Sequence, residues 1–202
     1  GGKKKVIERL RDEKIREKIK YELRDQSEEI SQTVVAAGSI NNIFIGKSIG
    51  EIAKNQDVSD LDAFLNLILA SEDRISGFIS LSGKNIETAL TSSLSIVASD
   101  GAGYRTKDAS YQPLLHPRSF GTFPRFLGHY VRTKNLMSWE EAILKITSAP
   151  AQKLGLKLRG KIQPGYFADI VVFDPEAIGE SATFKNPFQY SKGVNHVLVN
   201  GG

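Results

Sequence analysis

Asp100 is the residue whose surroundings carry most chemical meaning. It follows the short β-rich run Ser95-Ile96-Val97-Ala98-Ser99 and precedes Gly101 and Gly103. A carboxylate at the carboxyl end of a parallel strand stands where α/β barrels place their catalytic groups. Neighbouring glycines let the backbone turn sharply close to a ligand. Such a carboxylate can bind a divalent metal or take a proton from metal-bound water. Asp-Gly is equally an ordinary turn or capping pair, and the local residues leave both readings open. Further on stands His116-Pro117-Arg118. Arg118 carries a planar, permanently charged fork suited to a carboxylate, or it is a surface arginine. His116 is a candidate proton carrier or supporting partner, or a plain loop histidine. His129 and His196 fall inside expected elements and read as structural. The three histidines are scattered, with no His-x-His pair, and do not by themselves make a zinc site. Phe120, Phe123 and Phe126 read as packing residues rather than a stacking platform.

These groups need elements to hold them. Apolar Val6, Ile7, Leu10, Ile15, Ile19 and Leu23 recur at helical spacing, so the spacing predicts an amphipathic helix from Lys4 to about Arg24, with a break near Asp12. Thr33 to Ala36, closed by Gly38-Ser39, reads as a strand. Gly46 to Gly50 leads into a short helix at Glu51-Ile52-Ala53. Asp57 to Ala70 reads as a helix capped by Ser59 or Asp60, with Leu61, Phe64, Leu65, Ile68 and Leu69 along one side. Ile75 to Leu81 and Leu94 to Ala98 are expected as buried parallel strands flanking a helix at Asn85 to Leu90. A polar loop from Asp100 to about Pro124 follows, with Pro113, Pro117 and Gly121 inside it. Phe126 to Lys134 is expected to be helical. Ser138, with Glu141 three residues on, has the form of a capping box for a helix starting at Trp139. Ala149-Pro150-Ala151 begins a further short helix. After about Leu158 the texture turns all-β: a hairpin from Lys161-Ile162 through Pro164-Gly165 to Ala168–Phe173, and a last strand at Val194 to Val199.

Composition narrows the classes. A hydrophobic share of 40% with 25% charged residues is that of a globular chain, not a disordered or collagenous one. No apolar run reaches the roughly 18 residues of a membrane span. The absence of cysteine removes disulfides, thiolate metal sites and a cysteine nucleophile, and it fits a reducing, cytoplasmic setting. The opening Lys3-Lys4-Lys5 is followed by no apolar segment of the kind a secretory leader carries. Basic and acidic residues alternate along the first helix, which favours a solvated face over a nucleic-acid footprint. At 202 residues the chain is shorter than the roughly 250 of a closed eight-fold barrel.

A longer series of residues is more specific. Ser99-Asp100-Gly101 and His116-Pro117-Arg118-Ser119-Phe120-Gly121-Thr122-Phe123-Pro124-Arg125 resemble the N-acyl-D-amino-acid deacylases (D-aminoacylases), a family of the metal-dependent amidohydrolase superfamily. The likeness continues through Trp139-Glu140-Glu141-Ala142, Thr147 to Ala151, Arg159 to Asp174, Ala182-Thr183-Phe184, Asn186-Pro187 and Val197 to Gly201. The resemblance implies an α/β fold: the last strands and helices of an amidohydrolase (β/α) barrel, followed by strands of a small β-sandwich, with the barrel incomplete. It divides the chain into an N-terminal helical segment (1–45), a barrel portion (46–158) and a sandwich portion (159–202). It implies that Asp100 is the catalytic acid/base, and in many relatives a metal ligand. Arg118 then holds the substrate carboxylate, with His116 beside it. The implied cofactor is zinc and the implied substrate a small N-acyl-D-amino acid, with no nucleic acid and no membrane. The family's His-x-His pair, later metal-binding histidines and cysteine ligand are missing from this sequence, and Ser82-Gly83 stands where relatives often carry an acidic residue. The expectation is therefore a C-terminal portion of a zinc-dependent deacylase. The alternative is a catalytically inactive fragment or subunit that needs the metal-binding portion, supplied by the rest of the protein or within a homo-oligomer.

Overall fold

A computed structural model describes residues 2–71, 75–79, 82–107 and 114–202. The chain forms two compact units, residues 1–80 with 111–115, and residues 81–110 with 116–202.

In the first unit the amphipathic N-terminal stretch is two helices, α1 (Lys3–Arg11) and α2 (Glu13–Leu23). Asp12 makes the break: its backbone is extended and its carboxylate accepts the Ile15 N–H, so it caps α2. A short α3 (Ser27–Gln32) leads into β1 (Val34–Gly38). Ser48 and Glu51 form a reciprocal capping box on α4 (Ile49–Gln56), and the left-handed Asp57 ends it. Helix α5 (Asp60–Ser71) buries Leu61, Ala63, Leu65 and Leu67. That is more than the single stripe its periodicity suggests, because different elements pack around it. Val35, Ile49, Ile52, Ala53, Ala63 and Leu67 form the unit's core, with Ile30, Phe44, Phe64 and Ile75 against it.

The expected parallel strand at 75–81 is corrected. β2 (Ile75–Phe78) pairs antiparallel with β1, Val35 opposite Gly77, with a bulge between Val35 and Ala37; residues 80 and 81 lie outside the described residues. Ser76 and Gly77, on opposite faces of β2, are both exposed, which a strand buried in a parallel sheet would not be.

Charge ties α2 to α5. Arg16 Nη2 donates to Asp62 Oδ1 at 3.1 Å, to the Asp62 carbonyl at 3.2 Å and to Asn66 Oδ1 at 2.9 Å. Lys20 Nζ reaches Asp62 Oδ2 at 3.0 Å, and Ser59 Oγ donates to the same oxygen at 2.6 Å. The Ser59 hydroxyl first, then Lys20 and Arg16, stabilise the ionised carboxylate and outweigh its partial burial, so Asp62 is lowered from 3.8 to about 2.

The second unit opens with α6 (Gly83–Thr91). The expected strand at 94–98 is corrected to an extended segment outside any sheet. Leu94 is 95% exposed, and among these residues only Val97 enters the core. A helix, not a neighbouring strand, holds the segment: Val97 N–H donates to the Lys145 carbonyl at 3.2 Å. Part of the expected polar loop is also helical, as α7 (Arg118–Arg125). Pro124 lies inside α7 and lacks the N–H that would bond the Phe120 carbonyl four residues back. The Ser191 hydroxyl donates to that carbonyl instead, at 2.9 Å. Beyond Pro124 the helix widens into a π-helix, Phe126–Thr133. Lys134 N–H reaches back five residues to the His129 carbonyl.

Ser138 caps α8 (Trp139–Ile146), accepting the Glu141 N–H as its spacing predicts, and α9 (Ser148–Lys153) follows. The hairpin expectation is corrected in its pairing. β3 (Ile170–Phe173) pairs antiparallel with β4 (Val194–Leu198), Val171 opposite Val197, while 161–162 form no strand. Arg159 bonds the Asp169 carboxylate and reaches Asn200 Oδ1 at 2.8 Å, fastening the start of β3 to the turn after β4.

Val97, Phe126, Leu127, Tyr130, Val131, Met137, Ala142 and Ile178 make this unit's core. Its tightest point is Ile178. A methyl group on Gly128 would stand 2.3 Å from the Ile178 carbonyl oxygen, and one on Gly193 would stand 2.4 Å from its nitrogen. Arg132 Nη1 fixes the same carbonyl at 2.7 Å, so the backbone there has little freedom to yield.

Gly128→Ala is therefore expected to destabilise the second unit by about 1–3 kcal/mol through overpacking, measured by denaturant unfolding. In the first unit, Asp62 contributes stability above its unfolded value of 3.8, and that contribution is lost as pH falls through its folded value of about 2. Melting temperatures followed from pH 5 to pH 2 should show this loss, and Asp62→Asn should flatten it.

Candidate functional site

The segment 99–101 lies directly on the first turn of α7. Ser99 Oγ donates to the Arg118 carbonyl at 3.3 Å and accepts the Gly101 N–H at 3.0 Å. Thr122 Oγ1 stands 3.0 Å from the same carbonyl and 3.2 Å from Ser99 Oγ. A methyl group on Gly101 would stand 2.8 Å from Ser119 Cα and 3.0 Å from the Arg118 carbonyl oxygen. The glycine is required here for close backbone approach.

This contact brings two of the three expected site residues together. Arg118 Nη2 lies 2.8 Å from Asp100 Oδ2, with the arginine side chain 43% exposed and the aspartate 87%. An ion pair that open to water contributes about 0–1 kcal/mol to stability. It is therefore a poor candidate for a structural fastener and a good one for groups held ready for another partner. A guanidinium has five N–H donors, so one bond to Asp100 does not exhaust its capacity for a second carboxylate.

His116 joins the pair from behind. Its Nδ1 accepts the Arg118 backbone N–H at 3.0 Å, and its ring stands edge-on to Phe184, centroids 5.0 Å apart. A nitrogen that accepts is unprotonated, so this contact belongs to the neutral ring. Burial first, and the Arg118 charge second, push its pKa below 6.5. His116 thus shapes the entry into α7, one residue ahead of Pro117 and two ahead of Arg118. His129 lies on the π-helix, edge-on to Tyr130, and His196 on β4. Phe126 is core, whereas Phe120 meets Phe188 at a tilt and Tyr190 edge-on.

Metal-binding capacity is limited. Among the described residues no three His, Asp or Glu side chains gather as a cation would require. Asp100 offers one carboxylate, already engaged by Arg118. An open cleft of about 190 Å³ is lined by Lys161, Tyr166, Phe167, Asp169 and Ile170. It includes none of the three candidate residues, and its carboxylate is taken up by Arg159 and the Asn200 N–H.

Sequence reasoning missed the supports. Ser99 ends the β-rich run, Thr122 falls in the expected polar loop, and Lys145 falls in the expected helix from Trp139, with no supporting role indicated for any of them. Lys145 is only 3% exposed. Its Nζ donates to the Ser92 carbonyl at 2.6 Å and to the Ser95 carbonyl and hydroxyl, each at 3.2 Å. The serine-rich stretch from Ser92 to Ser99 was the available signal, since a buried ammonium needs several oxygen acceptors to offset its desolvation.

Residues 105–202 match the amidohydrolase family. The chain is 35% identical to the D-aminoacylase of Alcaligenes xylosoxydans xylosoxydans over 156 residues, covering 77% of this chain and 30% of that enzyme. It is 46% identical to the N-acyl-D-glutamate deacylase of the same organism over 86 residues, covering 43% of this chain and 18% of the relative. A crystal structure of N-acyl-D-glutamate deacylase from Bordetella bronchiseptica, complexed with zinc and a phosphonate mimic of the tetrahedral intermediate, superposes with a TM-score of 0.66. The identity is 30%, covering 88% of this chain and 35% of that one. The chain thus spans about a third of the length of these relatives, or less. On these likenesses the chain is similar to the D-aminoacylases and N-acyl-D-glutamate deacylases of the amidohydrolase family.

Proposed function

We propose that the chain works as the C-terminal part of a longer zinc-dependent deacylase that hydrolyses N-acyl-D-amino acids to a D-amino acid and a carboxylate. The observation that carries this reading is the Asp100–Arg118 pair, 2.8 Å apart at an exposed edge, in a chain similar to enzymes of that activity. In this reading residues 46–158 are the barrel portion, residues 159–202 the sandwich portion, and 1–45 a helical segment preceding them.

Each group has a chemical part. Arg118 pairs with the α-carboxylate of the substrate, a charge-assisted contact that orients the molecule. Asp100, beside it, is assigned to the reacting centre, the amide carbonyl three bonds from that carboxylate carbon. There it takes a proton from the attacking water and returns it to the leaving amine. His116 keeps the first turn of α7 in place through its hydrogen bond to the Arg118 N–H. Zinc, present in the Bordetella bronchiseptica structure, does not fit the described residues of this chain as its sole ligands. A zinc site takes three or four side chains, and Asp100 supplies at most one. The remaining ligands, and the polarisation of the amide that they would support, are assigned to the rest of the longer protein or to a second copy in a homo-oligomer.

The test is release of acetate from N-acetyl-D-amino acids in the presence of zinc. The 202-residue chain alone is expected to show little turnover, and the longer protein to prefer D over L substrates. In the longer protein Asp100→Ala should abolish turnover without lowering the melting temperature by more than a degree or two; full activity of that variant overturns the assignment. Arg118→Ala should act on substrate use, lowering kcat/KM roughly 10- to 150-fold, as loss of a charged hydrogen bond of ~1.5–3 kcal/mol implies. An equal loss on an acyl amine lacking the carboxylate would remove Arg118 from that role.

A further inference from the structure

Among the described residues Lys145 is the charged side chain buried in the second unit, and its contacts converge on one short segment. Its ammonium donates to the carbonyls of Ser92 and Ser95 and to the Ser95 hydroxyl. Its own carbonyl accepts the Val97 N–H at 3.2 Å. Glu141 Oε1 stands 3.9 Å from the ammonium. Residues 92–97 are therefore gripped by both the side chain and the backbone of one residue. The segment belongs to no sheet, and Leu94 and Ile96 point out to water. Val97 and Lys145 are what fasten it to the core. Three residues later the chain reaches Asp100, with Ser99 and Gly101 seated on α7.

We propose that Lys145 is a positioning residue for Asp100. Its three hydrogen bonds and its carbonyl replace the sheet pairing that the 92–97 segment lacks, and so fix where the Asp100 carboxylate stands relative to Arg118. An ammonium suits the task because it donates three times from one atom. A neutral side chain of that length cannot satisfy two carbonyls and a hydroxyl together. Arg118 belongs to α7, whose hold on the core comes from the π-helix that continues it, so Lys145 acts on the aspartate and not on the arginine. The catalytic meaning of this placement rests on the reading of Asp100 given above; the placement itself does not.

The experiment has two arms. In the 202-residue chain, amide hydrogen exchange is compared between the parent and Lys145→Met, which keeps the aliphatic stem and removes the donors. Val97 and Gly101 are expected to exchange at least tenfold faster, with Val131 in the π-helix changed less than twofold. Lys145→Gln, with two donors, should recover part of the protection. Should Lys145→Met fail to fold, Ser95→Ala, which removes the hydroxyl that accepts from Lys145 and donates to the Ser92 carbonyl and no core atom, should give the same pattern at two- to fivefold. No acceleration at Val97 and Gly101, or an equal acceleration at Val131, overturns the proposal. In the longer deacylase, Ser95→Ala or Lys145→Met should lower kcat about tenfold with KM within twofold, since carboxylate binding stays with Arg118; a raised KM at unchanged kcat overturns it. If the longer parent hydrolyses no N-acyl-D-amino acid, the functional reading falls, while the exchange pattern still decides the placement.

Discussion

The approach of residues 99–101 to the first turn of α7 is the contact on which the site depends. It is a backbone-to-backbone contact, with room for a hydrogen and no more at Gly101. Two features of the chain meet there. From one side comes a segment with no sheet to belong to; from the other comes a short helix interrupted by its own proline. Hydrogen bonds among Ser99, Thr122 and the Arg118 carbonyl join them into one piece. The Asp100–Arg118 ion pair follows as a consequence of that joint, and is too open to water to be its cause.

The supports of this joint share a physical logic: each supplies a hydrogen bond that regular structure would otherwise have provided. Ser191 covers the Phe120 carbonyl where Pro124 has no N–H. Lys145 covers the carbonyls of Ser92 and Ser95 where no neighbouring strand does so. His116 accepts an N–H at the start of α7, where a serine or aspartate cap is the commoner choice. A buried backbone group left without a partner costs about 1–3 kcal/mol, so such substitutes are needed wherever secondary structure is interrupted. They come from residues far away in sequence, and that is why the irregular stretch around the site holds a definite shape.

How much of this was legible in the sequence follows from the same logic. Local signals are legible: the Asp12 break, the Ser138 cap and the helix at 60–71 all depend on residues within one or two turns. The elements that were misread depend on distant partners. Residues 94–98 look like a buried strand by composition, but their long-range hydrogen bonds go to Lys145 on α8 and the others turn back to Ser92. Residues 118–125 look like a loop because they hold Gly121 and Pro124, and the hydroxyl that permits a helix is Ser191. The strand at 170–173 was foreseen, but paired with the wrong segment, since a Pro-Gly turn says nothing about which strand returns. Asp100 and Arg118 stood out by residue type, and their meeting across 18 positions could not be read from spacing.

Ile178 has a bearing on how this chain can change over evolutionary time. Glycines from two different parts of the sequence press on its backbone, one at the nitrogen and one at the carbonyl oxygen, leaving no slack on either flank. A side chain gained at one flank can be absorbed only if the peptide shifts toward the other, where a glycine must still be waiting. Positions 128 and 193 therefore behave as a single inherited character: lineages should keep the pair of glycines intact or replace it wholesale, and stepwise intermediates should be scarce.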